Sequence, residues 1–179
     1  VLGIGGLIVV TDRGQARRPL LEVVKSCLDG GATTFLLREK DLAREERAAM
    51  AEAMRELGAY VIAAGTDPLG GDAIHLSSRD PLGVARLTGR SCHDEAEIMV
   101  STEDYVTLSP IFPSPSKPGY GPALGTSKLG IKPNIFALGG IETPAQAAQC
   151  RENGAAGVAV MGAIMRADDP ATVVKGLLS

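Results

Sequence analysis

The sequence predicts an α/β fold, a parallel sheet covered by helices, and three observations carry that reading. Short aliphatic runs alternate with helical patterns almost from end to end, as consecutive strand–helix units require. The runs are brief and nearly continuous in apolar residues, which suits strands buried on both faces. Eight such units share 179 residues, about 22 residues each, less than is usual for an eight-stranded barrel. A barrel of this size must be very compact, with its third helix almost absent across residues 65–71. An open doubly wound sheet of fewer strands is the alternative, although no GxGxxG follows the first strand.

The elements follow in order. LIVVTD (residues 7–12) reads as the first strand. The opening VLGIGGLIVV lacks the basic stretch and small-residue cleavage site of a signal peptide and runs straight into Thr11, Asp12 and Arg13, so it is expected to be buried. A helix through LLEVVKSCLD places Leu20, Leu21, Val24 and Leu28 near one face, and Gly30 and Gly31 close it. TTFLLREK (residues 33–40) is the second strand. The clearest helix covers residues 42–57, where Leu42, Ala49, Met50, Ala53, Met54 and Leu57 form an apolar stripe. Strands are expected at 60–64, 73–76, 89–92 (weakly), 104–108, 134–138 and 157–160. Helices are expected at 144–153, opened by Pro144, and at 170–178.

Composition narrows the function. The net charge is −3 and aromatic residues are 3% of the chain, with Trp absent. No basic block exists to replace phosphate counterions, which argues against nucleic acid. Three Cys without paired spacing give no disulfide framework and fit a reducing, cytoplasmic setting. No run is long enough for a membrane helix. Whether the chain forms a homo-oligomer stays open. The whole of residues 1–179 is expected to be one domain.

Three constellations fall at predicted strand ends, where a parallel barrel gathers its site. Alternation along LLREK puts Leu36, Arg38 and Lys40 on one side. Two cations there can grip a phosphate, or Arg38 can simply pair with Glu39 or Asp41 on a solvated rim. The loop SPIFPSPSKPGYGPALG (residues 109–125) carries Ser114, Ser116 and Lys117, a set able to close over an anion, against a reading as a flexible surface loop alone. Gly139-Gly140 and, after the last strand, Gly162 offer bare backbone N–H groups for a phosphate, against a reading as tight turns alone. His75 lies within a strand and reads as an interior histidine. Cys92 and His93 are adjacent on a strand, point to opposite sides, and are poorly placed to share a proton.

VTDR, FLLREKDL, AIHLSSRD, GRSCH, YVTLSPIFPSPSKPGYGPALG, FALGGI and GVAVMGAI resemble, in order and spacing, the thiamine phosphate synthase and TenI superfamily. The resemblance implies a compact (β/α)8 TIM barrel and an enzyme that joins hydroxymethylpyrimidine diphosphate to thiazole phosphate. It implies that Arg38, Lys40, Ser91 and Lys117 hold the diphosphate and that Asp80 holds Mg²⁺. Gly139, Gly140, Met161 and Gly162 would hold the thiazole phosphate, with Ser114 and Ser116 lining the pocket between. Two departures stand out. Leu36 occupies the position of a usual Gln, and Ala63, Ala64 or Gly65 stands where the family has Asn-Asp, its second metal ligand, for which Asp67 or Asp72 would have to substitute. A TenI-like thiazole tautomerase is the alternative, although Pro110 replaces its catalytic His and His93 or His75 would have to act. A phosphate-binding paralogue without catalysis is a third reading.

Overall fold

The computed structural model describes residues 3–114 and 121–179. Eight parallel strands close into a barrel in chain order: β1 (Leu7–Val10), β2 (Thr34–Leu37), β3 (Tyr60–Ala64), β4 (Ala73–Leu76), β5 (Leu87–Cys92), β6 (Tyr105–Leu108), β7 (Ile135–Leu138) and β8 (Gly157–Val160). β1 pairs with both β2 and β8, so the ring is closed and the open-sheet alternative falls. Side chains sort with a period of two. On β1, Ile8 and Val10 point into the barrel with Leu36, Ile62, Tyr105 and Phe136. Leu7 and Val9 point outward into the layer beneath the helices.

Among the described residues six helices surround this ring: α1 (Leu20–Asp29), α2 (Arg44–Glu56), α3 (Glu95–Val100), α4 (Pro144–Glu152), α5 (Gly162–Met165) and α6 (Pro170–Leu178). α4 is opened by Thr143, whose hydroxyl accepts the Gln146 N–H while Gln146 reaches back, a reciprocal cap. No helix joins β3 to β4, β4 to β5 or β6 to β7 among the described residues.

Other devices cover the sheet in those places. In the β3–β4 connection, Leu69 is buried in the outer layer, and Arg55 of α2 donates to the Leu69 and Pro68 carbonyls at 3.1 and 3.3 Å. In the β4–β5 connection, Gly83 lies directly on the outward side chains of Ile74 and Leu76; a Cβ there would come within 2.5 Å of Ile74. Arg90, on the outer face of β5, donates to the Ser77 and Asp80 carbonyls at 2.9 and 2.8 Å and pairs with buried Glu103 at 2.7 Å. Burial pushes the Glu103 carboxyl up, but the hydrogen bonds from Arg90 and Ser101 outweigh it and hold it below the usual range.

Several element ends shift by one or more residues from the sequence reading, and three departures stand out. The second strand ends at Leu37 rather than residue 40, because the Arg38 N–H leaves the ladder to bond the Thr11 hydroxyl at 3.0 Å. The fifth strand begins at Leu87, two residues earlier than expected, since Gly89 hides its pattern. The six-residue α3, unanticipated, is capped by Asp94, whose carboxylate accepts the Glu97 N–H at 2.8 Å.

Candidate functional site

The strand order brings distant sequence segments to one mouth. At the C-terminal ends of β1, β2 and β5 to β8, a cavity of about 200 Å³ opens to solvent. Arg38, Ser91 and Ser114 line one part of it, and Gly139, Gly140, Met161 and Gly162 line another. Ser116 and Lys117 lie outside the described residues. Lys40 is exposed and does not line the cavity, although its charge reaches His75.

Arg38 owes its position to its neighbours. Thr11 accepts its N–H and donates to Glu39 at 2.7 Å, and buried Glu39 also accepts the Arg13 N–H and guanidinium at 3.0 Å each. Arg13 then takes Asp41 as well, at 2.6 Å. These carboxylates hold the Arg13 guanidinium above its ordinary range, Asp41 contributing most and Glu39 next. Both acids that the rim reading offered to Arg38 are thus committed to Arg13. Among the described residues neither Arg38 nor Lys40 has an ion pair. A guanidinium without a counter-charge, aimed into a cavity, is a ready anion-binding group.

Gly139 and Gly140 have φ of 102° and 69°, a region that favours glycine. A Cβ on Gly140 would also fall 2.4 Å from the Pro113 carbonyl. The tight-turn explanation therefore accounts for the residue type, while the open cavity leaves the pair's backbone at the site. The N–H groups of Gly162 and Ala163 begin α5 and have no acceptor within it.

Asp80 sits in an adjoining depression with Arg90 and Glu103, and Ser91 borders both spaces. Its carboxylate accepts the Ser77 N–H at 2.8 Å. Neither proposed substitute ligand joins it. Asp67 is paired with Arg44 at 2.6 Å, and Asp72 precedes β4 at the opposite end of the barrel, bonded to Tyr60 at 3.2 Å. No cluster of three or more His, Cys, Asp or Glu able to hold a metal occurs among the described residues. Asp80 therefore fits a Mg²⁺ ion only as one ligand, the rest coming from substrate oxygens and water.

The two histidines part company. His75 is buried and bonded through both ring nitrogens; burial first, then the charges of Arg90, Lys40 and Arg38, lower its pKa to about 4. His93 lines the cavity with its Nδ1 3.2 Å from a Glu97 carboxylate oxygen. Cys92 faces the outer layer, where burial pushes its thiol up to about 12, so the two neighbours do point apart. Sequence reasoning missed Glu142, which lines the cavity and pairs with Arg166 at 2.6 Å. It also missed the Thr11–Glu39–Arg13 support, for which no local signal exists.

A sequence model of the thiamine monophosphate synthase family matches residues 7–65 and 68–164. A provisionally named thiamine-phosphate synthase of Geobacter sulfurreducens is 36% identical, over 97% of this chain and 92% of its own. The thiamine-phosphate synthase of Mycobacterium sp. strain KMS is 33% identical, over 98% and 92%. The solved thiamine phosphate pyrophosphorylase of Pyrococcus furiosus superposes with a TM-score of 0.82 at 24% identity, covering 96% of this chain and 93% of that one. The match to the Geobacter protein extends over 198 positions, so that relative carries residues absent from this shorter barrel.

Proposed function

Because the chain belongs to the thiamine monophosphate synthase family, we propose that residues 1–179 act as one barrel joining hydroxymethylpyrimidine diphosphate to thiazole phosphate. The bond between the pyrimidine methylene and the diphosphate oxygen breaks, and its electron pair leaves with diphosphate. The thiazole nitrogen then supplies the pair for the new carbon–nitrogen bond. The step demands stabilisation of a departing polyanion. The observation that carries this reading is the Arg38 guanidinium, without an ion pair among the described residues, in a cavity shared with Ser91 and the Gly139-Gly140 backbone.

In this reading Arg38 and Ser91 hold the diphosphate, and Lys40 and Lys117 add positive charge around it. Gly139, Gly140, Met161 and Gly162 hold the thiazole phosphate, with Ser114 and Ser116 between the two. Mg²⁺ bound to Asp80 and substrate oxygens would offset the charge of the leaving group. The partners are small phosphorylated molecules and the setting is the cytoplasm. No helix is long and apolar enough to cross a membrane among the described residues.

Purified protein supplied with both substrates and Mg²⁺ should form thiamine phosphate. Arg38→Ala should lower kcat/KM by about 100-fold or more and shift stability by under about 0.5 kcal/mol. One observation favours a second reading: His93, with Glu97 on its Nδ1, faces the cavity as an acid–base group would. Proton exchange on a thiazole carboxylate phosphate, without thiamine phosphate formation, would establish a tautomerase instead. Binding of thiazole phosphate with neither reaction would establish the non-catalytic paralogue.

A further inference from the structure

Beneath the cavity, Tyr105, His75 and Ser91 form a continuous polar chain. The Tyr105 hydroxyl lies 2.8 Å from His75 Nδ1, and His75 Nε2 lies 2.9 Å from the Ser91 hydroxyl. His75, Gly89 and Tyr105 are register partners across β4, β5 and β6. Gly89 has no side chain, so the Tyr105 ring crosses in front of it; a Cβ there would stand 2.2 Å from a ring carbon.

Hydrogen-bond bookkeeping sets the direction of this chain. Burial pushes the Tyr105 phenol up, so it keeps its proton. His75 Nδ1 is its hydrogen-bond partner, and no other is found for it among the described residues. If Nδ1–H were the donor, the phenolic hydrogen would be buried with no acceptor, a penalty of about 1–3 kcal/mol by itself. Tyr105 therefore donates and Nδ1 accepts. A neutral ring that accepts at Nδ1 carries its hydrogen on Nε2. Nε2–H then donates to Ser91 Oγ, and the Ser91 hydrogen is left for the cavity that Ser91 lines.

We infer that Tyr105 and His75 are positioning residues that fix the Ser91 hydroxyl as a donor into the cavity, toward an oxygen of a bound phosphate or diphosphate. The opposite polarity would turn the Ser91 lone pairs toward an anion and repel it. The same polarity keeps Ser91 from acting as a nucleophile, since an activating histidine must accept the serine proton. The ligand half of this inference rests on the synthase reading; the polarity of the chain does not.

Nitrogen-15 NMR of the full chain tests the polarity, and calorimetric binding of inorganic diphosphate with Mg²⁺ tests its use. His75 should show the neutral Nε2–H tautomer at about pH 7. Tyr105→Phe should move the ring toward Nδ1–H and weaken diphosphate about ten-fold, the worth of one hydrogen bond to a charged group. In a Ser91→Ala background the same change should add no further loss, which a merely structural effect of Tyr105 would not reproduce. An Nδ1–H tautomer in the wild type overturns the relay, whatever diphosphate does. A wild type with the Nε2–H tautomer that binds no diphosphate overturns the ligand and the synthase reading together. If Tyr105→Phe fails to fold, the wild-type tautomer and Ser91→Ala decide: undiminished diphosphate affinity in Ser91→Ala overturns the proposal.

Discussion

The two flanks of the barrel solve one problem in two ways. On the flank of β1, β7 and β8, helices α1, α4 and α6 lay apolar residues such as Val24, Ala147 and Val174 over the strands. A helix satisfies its interior carbonyls itself, so its neighbours supply only packing. On the flank of β3 to β5, residues 65–72 and 77–86 contain no helix, and their carbonyls take hydrogen bonds from Arg55 and Arg90. A barrel can drop helices if a few anchored cations take over the satisfaction of the backbone. Stability on that flank is then concentrated in single side chains.

The sharpest way to break this contrast is Arg90→Met. It leaves Glu103 buried without its cation and takes the donor from three carbonyls, those of Ser77, Asp80 and Pro81, so a loss of about 3–5 kcal/mol is expected in denaturant unfolding. A loss under about 1 kcal/mol would mean that the loop-covered flank does not depend on its cation.

His75, inside the same flank, gives the next largest effect. Its pKa falls from 6.5 unfolded to about 4 folded, so the unfolded chain binds more protons between those values. The histidine's contribution is therefore complete above 6.5 and is lost as the pH falls toward 4, on the order of 3 kcal/mol in all. Unfolding free energies measured across that window should slope in the wild type and lose that component in His75→Gln.

Arg55→Ala should cost about 1–2 kcal/mol, the value of two carbonyl bonds. On the helical flank, the exposed Arg17–Asp168 pair provides the control, and Arg17→Ala should cost under about 1 kcal/mol. Equal losses in Arg55→Ala and Arg17→Ala would erase the distinction between the flanks.

Much of the architecture was legible because it is local. The runs read as strands at 7–12, 33–40 and 157–160 form strands over 7–10, 34–37 and 157–160, and the shortage of residues at 65–71 announced a missing helix. Alternation put Arg38 and Lys40 on the side opposite Glu39, which is buried while both cations are exposed, but it could not tell that only Arg38 lines the cavity. α3 escaped notice because six residues with one buried position carry no period. The charge state of the site was illegible for a different reason. Arg13 claims Glu39 and Asp41 from 26 and 28 residues away, a pairing created by the β1–β2 register and absent from any window of sequence.

Gly89 has a consequence for how such a chain can drift over generations. Any larger residue there must be accompanied by a smaller one at 105, and losing the phenol strips His75 of its donor. Three positions on three neighbouring strands are thereby bound to vary as a set. Descendants of this chain should either keep glycine, tyrosine and histidine together or replace all three.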